Sequence, residues 1–184
     1  MRTQSSLLAV IAASITALAT GDARADTTWT FTGVNPRATY AVASPKNGVD
    51  AMVFHVTASA VAPMRLVRMA FQVMGTVQSA EVTNYELVYY PTGLGTGGVV
   101  VGSNTGAAFA PGGRTSIVSV DVATPIALQG NFAGFFALRA AVQGTRAYFV
   151  TAQLQTVTLE DGGVERFLME TEDLPMSGDT YYVN

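Results

Sequence analysis

The stretch Met52-Val53-Phe54-His55-Val56-Thr57-Ala58 decides the fold class. Met52, Phe54, Val56 and Ala58 alternate with Val53, His55 and Thr57, so the apolar set recurs every second residue. Successive side chains of a strand point to opposite faces, and this period belongs to a strand with one buried side. The same reading holds downstream. Val67, Met69, Phe71 and Val73 alternate with Arg68, Ala70 and Gln72, and Gly75 ends the run. Tyr85, Leu87 and Tyr89 alternate with Glu86, Val88 and Tyr90, and Pro91 stops it. Val118, Val120 and Val122 form a further set, followed by Phe136, Leu138, Ala140 and Val142, then Tyr148, Val150, Ala152 and Leu154.

Turn residues separate these runs. Ser44-Pro45-Lys46-Asn47-Gly48 carries an Asn-Gly pair that favours a tight hairpin, which would join a strand over 38–42 to the one over 52–58. Gly-rich or Pro-Gly turns follow at Thr92–Gly98, Pro111-Gly112-Gly113, Gly144-Thr145 and Asp161-Gly162-Gly163. Val99–Val101, Ala107–Phe109 and Phe167–Met169 are further short β-prone pieces. Eight to ten short strands and no amphipathic helix predict an all-β protein. The expected architecture is an antiparallel two-sheet sandwich, with apolar faces stacked about 10 Å apart.

The N-terminus reads differently. Met1 and Arg2 precede an uncharged apolar run from Leu7 to Ala19, and Ala23-Arg24-Ala25 offers small residues at the two positions a signal peptidase reads. Residues 1–25 are expected to be a secretory signal peptide, cleaved before Asp26. The run is shorter than the roughly 20 apolar residues of a membrane-spanning helix, and no later stretch is long enough. The expected compartment is therefore outside the cytoplasm: periplasm, cell surface or medium. The mature chain then divides into an N-terminal strand and tether over 26–37 and one domain over 38–184 with an acidic C-terminal segment. Its 159 residues suffice for a core without disulfides, consistent with a chain that holds no cysteine.

Composition excludes one class of partner. The mature chain has 8 basic and 12 acidic residues, a net charge of −4, so nothing draws it to a phosphate backbone and nucleic acid is not an expected partner. Charged residues are 12% of the sequence against 49% hydrophobic, which leaves Thr, Ser, Gly, Ala and Gln to make most of the surface.

No motif reaches catalytic weight. Gly93-Leu94-Gly95-Thr96-Gly97-Gly98 satisfies G-x-G-x-x-G, but it leads into Val99-Val100-Val101, whereas a dinucleotide loop must open a helix. No P-loop lysine follows. His55 is the only histidine, and no serine sits in a nucleophile elbow. Neither a catalytic triad nor an imidazole metal site is expected. Glu160, Asp161, Glu165, Glu170, Glu172, Asp173 and Asp179 crowd the last 25 residues, without the ligand spacing of a calcium loop or an identifiable glycosidase pair. The aromatics Trp29, Tyr40, Tyr85, Tyr89, Tyr90, Tyr148, Tyr181 and Tyr182 are expected chiefly in the core and at sheet edges. Tyr89 and Tyr90 must face opposite sides of one strand. No catalytic, cofactor or metal residue is predicted, and the chain is not expected to be an enzyme.

The phrases Phe54-His55-Val56-Thr57-Ala58, Leu66-Val67-Arg68-Met69-Ala70-Phe71 and Val82-Thr83-Asn84-Tyr85-Glu86-Leu87-Val88-Tyr89, with Gly98–Gly102 and Phe136–Val142, carry a resemblance. Over 50–159 the chain resembles the immunoglobulin-like β-sandwich domains of bacterial surface, stalk and fibre proteins. That resemblance implies structural or adhesive work, with other surface proteins or copies of itself as partners. It extends to a fibre subunit assembled by strand addition, in which the segment bearing Trp29 and Phe31 is the strand exchanged. Pro36 holds the connection after it extended. The chain lacks the cysteine pair common in chaperone–usher pilins. The rival expectation is an extracellular carbohydrate- or calcium-binding module using the 91–98 loop or the acidic end.

Overall fold

The computed structural model describes residues 28–33, 39–78, 80–95, 97–106, 109, 114–168 and 173–184. Residues 1–25, expected to be a signal peptide, most of the expected tether, Glu170 and Glu172 lie outside these residues. The described chain is all-β. Nine strands are present: β1 Thr28–Gly33, β2 Thr39–Val42, β3 Lys46–Gly75, β4 Val82–Tyr90, β5 Val99–Gly106, β6 Thr115–Val142, β7 Tyr148–Asp161, β8 Val164–Leu168 and β9 Met176–Val183.

They form one hydrogen-bonded sheet in the order β2-β9-β7-β3-β6-β4-β5, with β1 added to β3 and β8 to β7. This differs from the expected pair of sheets. The sheet is mixed, because β2 runs parallel to β9 while the other pairs are antiparallel. It curls into a half-barrel. The physical reason lies in β3 and β6, whose 30 and 28 residues each cover what reads in sequence as two strands. The two pair along almost their whole length, yet the register slips between Ala60 and Met64 and again between Leu66 and Arg68. At the second slip β6 advances from Asp121 to Ile126. Such bulges bend a strand and increase its twist. Pro63 and Pro125, which lack the N–H a ladder needs, both fall within these unpaired stretches.

The bend divides the sheet into two arms. The first holds β1, residues 46–60 of β3, residues 130–142 of β6, β4 and β5. The second holds residues 64–75 of β3, residues 115–128 of β6, β7, β8 and β9. Their inner faces share one core. Phe54 of the first arm lies 5.7 Å from Phe136 beside it and 6.3 Å from Phe71 of the second, ring centre to ring centre, and all three rings are fully buried. The arms approach closely where glycine permits. A Cβ at Gly178 would meet the Met52 side chain at 2.8 Å, and one at Gly102 would meet the Asp121 carbonyl oxygen at 2.2 Å.

The bulges also explain the phase of the apolar pattern. Met52, Phe54, Val56, Met64 and Leu66 are buried at even positions, and Met69, Phe71 and Val73 at odd ones. β7 switches in the same way at its slip opposite Ala70 and Phe71, from Leu154 to Val157 and Leu159. The hairpin expected at Asn47-Gly48 is absent. β2 pairs with β9 at the far end of the sheet, and Asn47 and Gly48 sit in a bulge at the start of β3.

Candidate functional site

The outer face of the first arm carries the most chemistry. Ser103 of β5 pairs with Glu86 of β4, Glu86 with Arg139 of β6, and Arg139 with Asp50 of β3. Four strands thus place four polar side chains in one row. Arg139 is the hub. Its Nε donates to Asp50 Oδ1 at 3.0 Å, and a terminal nitrogen donates to the Tyr90 hydroxyl at 2.9 Å. The bond to Asp50 outweighs partial burial and raises the guanidinium pKa, so Arg139 stays charged. Tyr181 donates its hydroxyl to the Asp50 carbonyl oxygen.

A concavity opens on each side of this pair. One, of about 460 Å³, lies over β4, β5 and β6, with Asn47, Asn84, Glu86, Ser103 and Arg139 around it. The other, of about 570 Å³, lies towards β2 and β9, with Lys46, Asp50, Tyr90, Leu94, Asp179 and Tyr181 in its wall. Both volumes fall in the range of about 300–1,000 Å³ usual for small-ligand sites. Between them, Val88, Tyr90 and Ala137 form a small second apolar cluster on the outer face, backed by Val53 and Phe135.

The residues singled out in the sequence scatter around the molecule. Phe31 is 4% exposed, in the core, and its backbone N–H donates to Asp173 Oδ2 at 3.0 Å. Trp29 pairs with Ala58 in the β1–β3 ladder, and its side chain is outside the described residues. His55 is half-buried and stacks on Phe135 at 4.4 Å. The glycine loop after Tyr90 joins antiparallel strands β4 and β5 and opens no helix. A side chain at Gly98 would strike the Tyr90 ring at 2.3 Å, so glycine is needed there for packing.

The acidic segment is not one site. Glu160 and Glu165 face each other in the β7–β8 hairpin, and Asp161 pairs with Arg166 at 3.2 Å. Asp173 holds β1, while Asp179 is buried on β9. Among the described residues no three His, Cys, Asp or Glu side chains gather as a metal site would require. Tyr85 and Tyr148 are in the core, the Tyr89 ring lies tilted 5.0 Å from Phe136, and Tyr182 lies 5.0 Å from Phe149. Tyr89 and Tyr90 face opposite sides, as the alternation requires.

Sequence reasoning missed Asp50, Arg139 and the row they anchor. The two residues are 89 positions apart, and only the β3–β6 register brings them together. The alternation Phe136–Leu138–Ala140 does place Arg139 on the outer face, which is the one local signal available.

No protein-family model and no curated protein matches the chain. Among solved structures it is distantly similar to a DUF4466 family protein from Parabacteroides merdae, at 13% identity and a TM-score of 0.30 over 82% of this chain and 44% of that one. It thus spans less than half of that protein's length. It is also distantly similar to the collagen-binding domain from a Staphylococcus aureus adhesin, at 7% identity and a TM-score of 0.25, over 85% of this chain and 96% of that domain. Both likenesses are to β-rich proteins.

Proposed function

We propose that this chain is an exported, non-catalytic structural or adhesive protein that assembles through exchange of its first strand. The observation that carries this reading is the placement of β1. Its six residues lie antiparallel along β3 from Phe54 to Ser59, at the edge of the first arm. Phe31 enters the core, and Asp173 accepts the N–H of the same residue.

Without β1, the β3 edge over 54–59 would present unpaired N–H and C=O groups beside an empty slot for a phenyl ring. Unpaired strand edges template the pairing of another chain, and strand addition supplies the same backbone bonds from a neighbour. The corresponding segment of a second copy is chemically identical, so it fits the same slot. The weakly charged composition supports the same reading, with periplasm, cell surface or medium as its place of action.

The test uses the chain from Asp26 and a variant lacking residues 26–33. The variant should bind a synthetic peptide of those residues, and peptide carrying Phe31→Ala should bind far less. The chain from Asp26 should form concentration-dependent oligomers in analytical ultracentrifugation. A strictly monomeric chain, together with a deletion variant that ignores the peptide, would overturn the proposal.

A further inference from the structure

We propose that the cleft over β4, β5 and β6 is a binding site for a neutral, hydroxyl-rich ligand, namely a saccharide. Its polar groups are unspent. Among the described residues, the side chains of Asn47, Asn84, Glu86 and Ser103 make no hydrogen bond, although all four border one concavity of about 460 Å³. Two amides supply both donors and acceptors, a hydroxyl supplies either, and a carboxylate accepts only. That set matches vicinal hydroxyl groups, each of which both donates and accepts.

The charge of the cleft selects against ions. Glu86 and Arg139 are register partners, so the one negative and one positive side chain of the lining stand side by side. Arg139 is already engaged by Asp50 and Tyr90. With Asp50 in the same row, two carboxylates stand against one guanidinium, which disfavours phosphate, and Glu86 alone offers too few carboxylate ligands for a divalent cation. A neutral polyol needs no net charge and uses Glu86 as a strong acceptor. Ala141, on the same face of β6 as Arg139, borders the same concavity and offers an apolar contact for the C–H face of a sugar ring.

The backbone is shaped for the site as well. Between Thr83 and Glu86 the register of β4 against β6 slips, and Asn84 takes a φ of +52° within that bulge. Left-handed backbone is uncommon outside glycine, and asparagine is among the residues that tolerate it best. Bulges are over-represented beside functional sites, where they re-aim a side chain. Here the bulged residue is one of the cleft's unspent amides. This site lies on the outer face and β1 at the opposite edge of the arm, so saccharide binding stands or falls separately from strand exchange.

The experiment is a ¹H–¹⁵N NMR titration of the chain from Asp26 with maltotriose, cellotriose, mannotriose, chitotriose and lactose, beside sialyllactose and inorganic phosphate. At least one neutral sugar should shift the side-chain amides of Asn47 and Asn84 and the Arg139 Nε–H. Glu86→Ala should weaken that binding about tenfold or more, the effect of losing a hydrogen bond to a charged group. Ser103→Ala should weaken it less and serves if the first variant melts early. No shift with any neutral sugar, shifts confined to other surfaces, or a preference for sialyllactose or phosphate would overturn the proposal.

Discussion

The two arms of the curled sheet share a core but present unlike outer faces. The outer face of the first arm has an ion pair, an aromatic stack, a small apolar cluster and two concavities. That of the second arm carries a lattice of amides and hydroxyls. Gln155 donates to Gln72 at 3.1 Å and to Gln153 at 2.8 Å, Gln153 donates to Ser177 at 3.2 Å, and the hydroxyls of Thr151 and Thr180 share a bond of 2.8 Å. Among the described residues, its ion pairs are Arg68 with Asp121 across β3 and β6 and Asp161 with Arg166 in the β7–β8 hairpin.

The difference teaches where selection for folding ends in this molecule. Every strand passing through the core contributes large apolar side chains inward, on both arms alike. Outward positions contribute little to stability and are free to differ. Neutral side-chain bonds in solvent each add about 1 kcal/mol at most, because water competes for the same groups. The arm whose outer face departs from that neutral lattice is the one with the concavities.

The largest expected effect tests whether the arms are one unit. Phe54→Ala removes a ring that touches Phe136 in its own arm and Phe71 in the other. It should cost about 3–5 kcal/mol, as buried Phe truncations do. Denaturant unfolding followed by hydrogen exchange should show both arms losing protection together. Loss confined to the first arm would break the picture of a shared core.

Next come two tyrosines with opposite expectations. The Tyr85 hydroxyl is buried without a hydrogen-bond partner, whereas the Tyr148 hydroxyl lies 2.9 Å from the Glu81 carbonyl oxygen and 3.0 Å from that of Gln143. Tyr85→Phe should stabilise the protein by about 1 kcal/mol, by removing an unsatisfied group, and Tyr148→Phe should destabilise it by a similar amount. The pH dependence has a definite sign. Burial, with a smaller contribution from Tyr148, raises the Tyr85 pKa, so the fold favours the neutral phenol. That contribution is fully present below the ordinary tyrosine pKa of about 10 and declines as pH rises beyond it. Chemical denaturation across alkaline pH should show the decline, and Tyr85→Phe should flatten it.

The outer faces give the smaller effects. Arg139→Ala removes a half-exposed pair and its bond to Tyr90, and should lower stability by about 1 kcal/mol or less. Gln155→Ala, on the second arm, should change it by no more than about 0.5 kcal/mol. Thermal melts of the two variants side by side sharpen the contrast. An equal or larger loss for Gln155→Ala would mean that the amide lattice contributes more than its exposure suggests.

Alternation at 52–58, 69–73, 85–89 and 136–142 was enough to define all-β structure, the inward residues and the opposed directions of Tyr89 and Tyr90. That information is local, because consecutive side chains of a strand must point to opposite faces. Nothing local could show that 52–58 and 69–73 belong to one strand, since the bulges between them shift the apolar phase from even to odd and imitate a break. Nor could it pair β2 with β9 or set Asp50 beside Arg139. Those depend on register between segments distant in sequence, and register is chosen by the burial of the whole curled sheet rather than by any one stretch of it.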